Sequence, residues 1–471
     1  MRLKEHITKV QDGEVDILAH TRAALEECAS VDSQYHYFTE ITRDRALWQA
    51  EKVASNPKGR LAGVFITVKD CICVEGTRTQ SSSRILDGYK PLFDATVIER
   101  LEREGAILLG RTVQDEFGFG VFSTNTGLDF PVPLNPFDTE RATGGSSGGS
   151  AGATRKLSFP HVSLAESTGG SITSPSSLCG VFGLCPTYGR VSRYGLLDYG
   201  NSLDKIGPMG LDPYDLALVM EVISGHDERE STSLDEPVPA YSENYSSRFK
   251  GRIGIVTEAL GEGITQPVSD VIERTAKYLR SQGFEVEEVS IPTPYKHGIA
   301  TYYVLAQSES STNLARYCGM RYGAVEKLEG NFNEYFSRVR GQHLGKEAKR
   351  RIIIGTFARM IGFRDAYYLK AMKVRTKIIN EYKEAFSQYD VLLTPAIPYV
   401  APRFDEIETM SLLQTYMADV LSVGPNLAGL PHMNMPVSKH EGLPIGVLGV
   451  ADHLCEEKLL QRGAMLNDAD I

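Results

Sequence analysis

The run Gly144-Gly145-Ser146-Ser147-Gly148-Gly149-Ser150-Ala151, answered downstream by Thr168-Gly169-Gly170-Ser171, constrains this chain more than any other stretch. Glycine clusters mark backbone that turns sharply or approaches another group closely. The serines set among them carry hydroxyls with little steric cover, beside accessible backbone N–H groups. A nucleophile next to donors aimed at a developing oxyanion is what acyl transfer requires. The same composition also suits a flexible Gly/Ser linker. Patterned sequence on both sides argues against that. Residues 159–165, between the two motifs, are short and partly apolar and read as a buried strand, with Pro160 near its start.

A serine hydroxyl needs a base. Residues 144–148 fit the G-x-S-x-G elbow of Ser–His–Asp hydrolases. An elbow follows a strand, however, and Asn135-Pro136-Phe137-Asp138-Thr139-Glu140-Arg141 reads as loop. His161 lies between the serine motifs, inside the predicted strand, where a satisfied core or surface histidine is the simpler reading. Lys69 stands near the end of Gly63-Val64-Phe65-Ile66-Thr67-Val68-Lys69-Asp70. A lysine ending an apolar strand can be desolvated, leaving some neutral amine to accept a proton. The competing reading is an ordinary strand-end charge.

Around these motifs the chain alternates. Residues 14–29 and 42–54 have helical composition and predict an N-terminal helical arm, and 61–68 reads as a strand. Helix then strand follows at 96–104 and 106–109, at 215–224 and 252–256, and at 268–282 and 284–291. Further helices are predicted at 301–317, 346–360, 365–387 and 456–466, with strands at 390–395, 432–437 and 445–450. The alternation predicts an α/β fold with helices covering a sheet. The polar stretch 225–239 reads as an excursion between two parts of the fold.

The chain's 471 residues, 42% of them hydrophobic, suffice for a large core, and no apolar run approaches a membrane span. The first residues lack the apolar stretch of a secretory signal, and seven scattered cysteines fit reduced thiols, so the reading is cytoplasmic. Cys71-Ile72-Cys73 lacks the second ligand pair of a metal site and reads as a strand end. A net charge of −10 makes the chain a poor stand-alone holder of a phosphate backbone. Lys370, Lys373 and Lys377 share one helical face near Arg375 and read as solvated surface.

Lys69-Asp70, the 144–151 run and Thr168-Gly169-Gly170-Ser171-Ile172, followed by Pro175, resemble the amidase signature family. The resemblance implies that family's α/β fold over residues 61–471: a central mixed sheet covered by helices on both faces, preceded by the helical arm at 1–60. It also implies a Ser–cis-Ser–Lys triad. Ser171 would be the nucleophile, Ser146 the bridging serine and Lys69 the base, with backbone N–H groups around Thr168, Gly169, Gly170 and Ser171 as the oxyanion hole. Residues 186–196, 202–208 and 425–431, with Lys349-Arg350-Arg351-Ile352 and Gly355-Thr356-Phe357, are similar to one branch of it, the glutaminase subunits of tRNA-dependent amidotransferases. Two departures stand out. Ser167 and Thr173 occupy positions where the family usually has Asp and Arg. Losing both charges is milder than stranding one in the interior, and Glu166 is placed to take over part of their role.

A glutaminase must hold an α-carboxylate and an α-ammonium, for which arginine and a carboxylate are suited. By resemblance these fall on Arg351 and Asp419, with Tyr303 as a third contact. Arg350 stays open as the arginine, because neighbours on a helix point to different faces. The resemblance implies hydrolysis of glutamine and delivery of ammonia to partner subunits B and C, which would amidate Glu-tRNA(Gln), Asp-tRNA(Asn) or both. The partner would carry most of the tRNA contact, with ATP and magnesium, since this chain shows no G-x-x-x-x-G-K-[ST] loop. No cofactor or metal is expected in the chain itself. Two alternatives remain. A stand-alone amidase would turn over small amides without any partner, and an inactive scaffold would not react with a serine-directed acylating probe.

Overall fold

The computed structural model describes residues 2–246, 251–467, 469 and 471. Its centre is an 11-stranded sheet. In chain order the strands are β1 (Phe38–Ile41), β2 (Phe65–Lys69), β3 (Ile107–Thr112), β4 (His161–Ser167), β5 (Phe182–Cys185), β6 (Lys205–Gly210), β7 (Arg252–Val256), β8 (Glu285–Val289), β9 (Val391–Pro395), β10 (His432–His440) and β11 (Leu443–Ala451). Their order across the sheet is β1-β3-β2-β4-β6-β5-β10-β11-β9-β7-β8. β2 pairs in parallel with both β3 and β4, and β7 in parallel with β8 and β9. The pairs from β4 through β6, β5, β10 and β11 to β9 are antiparallel. The predicted mixed sheet is therefore present.

Strand residues send alternate side chains to opposite faces. In β9, Val391 and Leu393 join one apolar cluster while Leu392 joins another across the sheet. In β2, Ile66 and Val68 enter the first cluster, so Lys69 points to the opposite face with Phe65 and Thr67. Helices Thr96–Arg103, Pro213–Ile223, Gln266–Ser281 and Glu456–Asn467 supply apolar residues to the first cluster, and Pro292–Asn313 and Lys370–Phe386 to the second. Among the described residues, no helix is long and apolar enough to cross a membrane.

The arm is more than helical. Helices Leu3–Gln11, Ile17–Tyr35 and Arg43–Ser55 are joined by β1, which pairs with β3 at the sheet edge. Phe38-Thr39-Glu40-Ile41 is too short to show a period. Its neighbours Tyr35 and Tyr37 and the arm's apolar residues pack over Leu157, Phe159 and Phe65. Strands β5 and β6 also escaped the sequence reading: β5 spans four residues, and β6 opens on a buried lysine. Cys71 and Cys73 lie in a buried turn after β2, where Ile72 bridges to Leu196, so the strand predicted to run through them ends at Lys69. The predicted helix 365–387 opens as the π turn Asp365–Leu369 before Lys370–Phe386.

Helix Gly148–Lys156 grows directly out of the glycine run. A methyl on Gly149 would lie 2.6 Å from the Val113 carbonyl oxygen, and one on Gly152 would lie 2.2 Å from the Tyr37 ring. The glycines let this helix press onto the sheet face to which Lys69 points.

Candidate active site

β2 and β4 are parallel neighbours with Val68 opposite Leu164, so their C-terminal ends open at one edge of the sheet. Open α/β sheets commonly bind ligands at this edge. Lys69, fully buried, ends β2 there. Its Nζ lies 2.8 Å from Ser146 Oγ, 3.0 Å from the Glu166 carbonyl oxygen and 2.9 Å from Glu166 Oε2. An ammonium would donate to all three. A neutral amine would keep both Glu166 contacts as donor and turn its lone pair to the Ser146 hydroxyl. The lysine is thus buried as expected, but its surroundings are ionic and not merely apolar, because Glu166 pairs with it.

The Gly145–Ser146 peptide bond is cis. The loop after β3 holds this turn. Asp115 N–H donates to the Ser146 carbonyl at 3.1 Å, and Ser123 Oγ donates to the Gly144 carbonyl at 2.9 Å. Burial raises the Asp115 carboxyl to about 6, opposed by the backbone N–H groups of Asn125 and Ser123 and by the charges of Arg351 and Lys69.

Ser171 follows β4 by way of Thr168, Gly169 and Gly170 and is nearly buried, at 6% exposure. Among the described residues, the N–H groups of Gly169, Gly170 and Ser171 donate to no protein acceptor. They are available to an oxyanion. Thr168 Oγ1 lies 2.8 Å from both Glu166 Oε1 and Asp204 Oδ1. Ser167 and Thr173 are buried; Ser167 faces the Cys185 thiol, and the Thr173 hydroxyl finds no partner among the described residues. No charge is stranded where the family's usual pair is missing.

Glycine lets other elements close on this loop. A methyl on Gly169 would meet the Tyr302 ring at 2.5 Å; one on Gly170 would lie 3.0 Å from Asp419 Oδ1 and 2.3 Å from Ser422 Oγ. Asp419 is therefore brought against the residue preceding Ser171. Burial raises its carboxyl to about 7, opposed by the Arg351 charge and the Tyr303 hydroxyl. Arg351 is buried on helix Lys346–Arg359, with its guanidinium carbon 5.3 Å from the Phe119 ring centre, 5.2 Å from Tyr303 and 5.4 Å from Tyr416. Its Nε donates to Glu347 Oε1 at 2.8 Å and Nη1 to Tyr199 Oη at 2.8 Å. Nη2 donates to no protein acceptor among the described residues. Arg350 turns outward, with 33% of its side chain exposed against 3% for Arg351. Of the two arginines left open by the sequence, Arg351 is the one that faces inward.

His161 sits apart, buried in β4 beside Phe159, and burial holds its ring down at about 4. Lys370, Lys373 and Lys377 are exposed, whereas Arg375 reaches inward to the Leu427 carbonyl and Ser202.

The amidase family model matches residues 19–460. The chain belongs to the amidase family. Among relatives, the A subunit of glutamyl-tRNA(Gln) amidotransferase from Synechococcus sp. (strain RCC307) is 44% identical over 96% of this chain and 94% of that protein. The protein of the same name from Archaeoglobus fulgidus is 42% identical over 99% of both. The crystal structure of its Thermotoga maritima counterpart superposes with a TM-score of 0.80 at 33% identity, covering 100% of this chain and 95% of the other. As an amidase, the chain gathers its site from stretches far apart in sequence. Sequence reading missed Asp115 and Tyr199, which come from loops without a pattern, and Tyr416, from the short helix Leu412–Met417; Asp204 lies in the stretch 202–208 but was given no role. Glu347, four residues before Arg351, carried the one available signal, the helical i,i+4 spacing.

Proposed function

We propose that this chain hydrolyses glutamine as the glutaminase component of a tRNA-dependent amidotransferase. The observation that carries the reading is the approach of Arg351, Tyr303 and Asp419 to the Gly170–Ser171 turn. Arg351 Nη2 suits an α-carboxylate and Asp419 an α-ammonium. The buried Tyr303 hydroxyl, which faces the Asp419 carboxyl, suits a third contact. The amide then faces Ser171. Ser171 Oγ attacks the amide carbon, its proton passes through Ser146 to Lys69, and the N–H groups of Thr168–Ser171 receive the oxyanion. The proton returns to the leaving nitrogen, ammonia departs, and water releases glutamate from the acyl-enzyme. Ammonia passes to partner subunits B and C, which hold ATP, magnesium and most of the contact with Glu-tRNA(Gln), Asp-tRNA(Asn) or both. The names of the relatives and the net charge of −10 support that division.

The reading is tested on substrate choice. Arg351→Ala and Asp419→Ala are expected to raise the KM for glutamine roughly ten- to a hundredfold, the worth of a charge-assisted contact. Turnover of an amide lacking the amino-acid groups should change far less. Equal losses on both substrates would mean that these side chains serve the fold instead.

A pH dependence follows. Asp419 must be ionised to hold an ammonium, and its carboxyl sits at about 7. Glutamine selectivity is therefore present above that value and lost as pH falls through it. The measurement is kcat/KM for glutamine divided by that for the simple amide, from about pH 6 to about pH 8.5. The ratio should rise with pH in the wild type and lose this rise in Asp419→Asn.

A further inference from the structure

Behind Lys69 the polar chain continues. Glu166 bridges two partners, Oε2 to Lys69 Nζ at 2.9 Å and Oε1 to Thr168 Oγ1 at 2.8 Å. The same Thr168 hydroxyl lies 2.8 Å from Asp204 Oδ1. Asp204 is fixed in turn by the N–H groups of Tyr199 at 2.9 Å and Gly200 at 3.0 Å. A hydroxyl has a single proton to donate. Between two carboxyl oxygens it can donate to only one, and the other must carry a proton and donate to the hydroxyl. Burial and the neighbouring Glu166 push the Asp204 carboxyl well up, so the shared proton rests on Asp204. Thr168 then donates to Glu166.

We propose that Glu166 is the proton-accepting partner of Lys69, so that the relay runs from Ser171 through Ser146 and Lys69 to Glu166, with Thr168 and Asp204 holding that carboxylate in place. In this sequence Lys69 starts as an ammonium paired with an ionised Glu166. As Ser171 attacks, its proton moves to Ser146, the Ser146 proton moves to Lys69, and a Lys69 proton moves to Glu166 Oε2. Lys69 ends as it began, Glu166 is neutral, and the oxyanion carries the negative charge. The transfers reverse as the C–N bond breaks, and the nitrogen leaves as ammonia. The lysine acts as a base without first losing a proton to water. Glu166 touches no reacting atom and is a positioning residue working through Lys69. It also stands where the sequence departs from the family, beside Ser167.

Charged and titratable groups face this pair from several elements: Asp115 towards Lys69, Cys71 towards both, Cys185 with Lys205 towards Glu166, and Arg193 towards Asp204. None lies in the line of transfer.

The test compares the acidic limb of the pH profile of kcat/KM between wild type and Glu166→Gln, using the simple amide, whose binding does not need Asp419; it rests on the glutaminase reading. With that substrate the wild-type acidic limb marks a second proton entering the Lys69–Glu166 pair. With glutamine at 166, Lys69 must first release its proton to solvent. The limb is expected to move to higher pH by more than about one unit, with neutral-pH activity down roughly a hundredfold and recovered in alkali. Thr168→Val keeps the backbone N–H but removes the donor to Glu166, which should move the limb the same way by less. A limb moving to lower pH would make Glu166 a mere counter-charge. An equal loss at every pH would make it structural, and either result overturns the proposal. Wild-type protein inert towards glutamine would instead sink the glutaminase reading itself.

Discussion

Ser171→Ala is expected to abolish glutamine-driven amidation of aminoacyl-tRNA by the assembled complex while leaving ammonium-driven amidation intact. Without the hydroxyl no acyl-enzyme forms, and residual hydrolysis by the oxyanion donors alone falls by several orders of magnitude; removing a nucleophile from a comparable serine site costs about 10⁶. The acceptor chemistry belongs to the partner in this reading, so concentrated ammonium salt bypasses the lesion. The experiment is one assay with two nitrogen donors on wild-type and variant complexes of verified composition. Loss with both donors would show that Ser171 supports assembly or the acceptor reaction, and the division of labour proposed above would fall.

Lys69→Ala is expected to lower glutamine turnover by about 10²–10⁴-fold, the usual worth of a positioned base. Lys69→Arg should be nearly as inactive, since a guanidinium does not give up its proton. The alanine variant also carries a stability cost. Glu166 is buried, and removing its cation leaves a carboxyl without its charge partner, a change that costs about 3–5 kcal/mol in comparable buried pairs. A clear fall in Tm should therefore accompany the loss of activity. Turnover above about a tenth of wild type at neutral pH would remove Lys69 from the role of base.

The residues of the proposed relay were legible because they sit in local patterns. Lys69 ends an apolar strand, and Ser146 and Ser171 stand among glycines that could be there only for a turn or a close approach. Most long helices were legible by composition, and the strands other than β1, β5 and β6 by apolar runs between breakers. What stayed hidden depended on partners far along the chain. Nothing near Lys69 announces that Glu166, 97 residues on, will face it as a counter-charge. Nor could the sequence choose between Arg350 and Arg351: the choice rests on which face of helix Lys346–Arg359 meets Phe119, Tyr303 and Tyr416, and that is decided by packing. β1 was hidden for a related reason, being an edge strand of four residues held by β3 and the arm's apolar cluster more than by any periodicity of its own.

The place of β10 and β11 bears on how this protein is made. They are the last strands in the chain, yet they lie mid-sheet, between β5 on one side and β9 on the other. As the chain leaves the ribosome, β1 to β6 can assemble as one piece and β7 to β9 as another. Neither piece can join the other until residues 432–451 have emerged. Until then β5 and β9 present open edges, the kind of surface on which unfinished chains pair with one another. A ribosome stalling shortly before this hairpin therefore releases two half-sheets with raw margins, prone to aggregate. Chaperone demand during synthesis should be concentrated in the interval between β9 and β11.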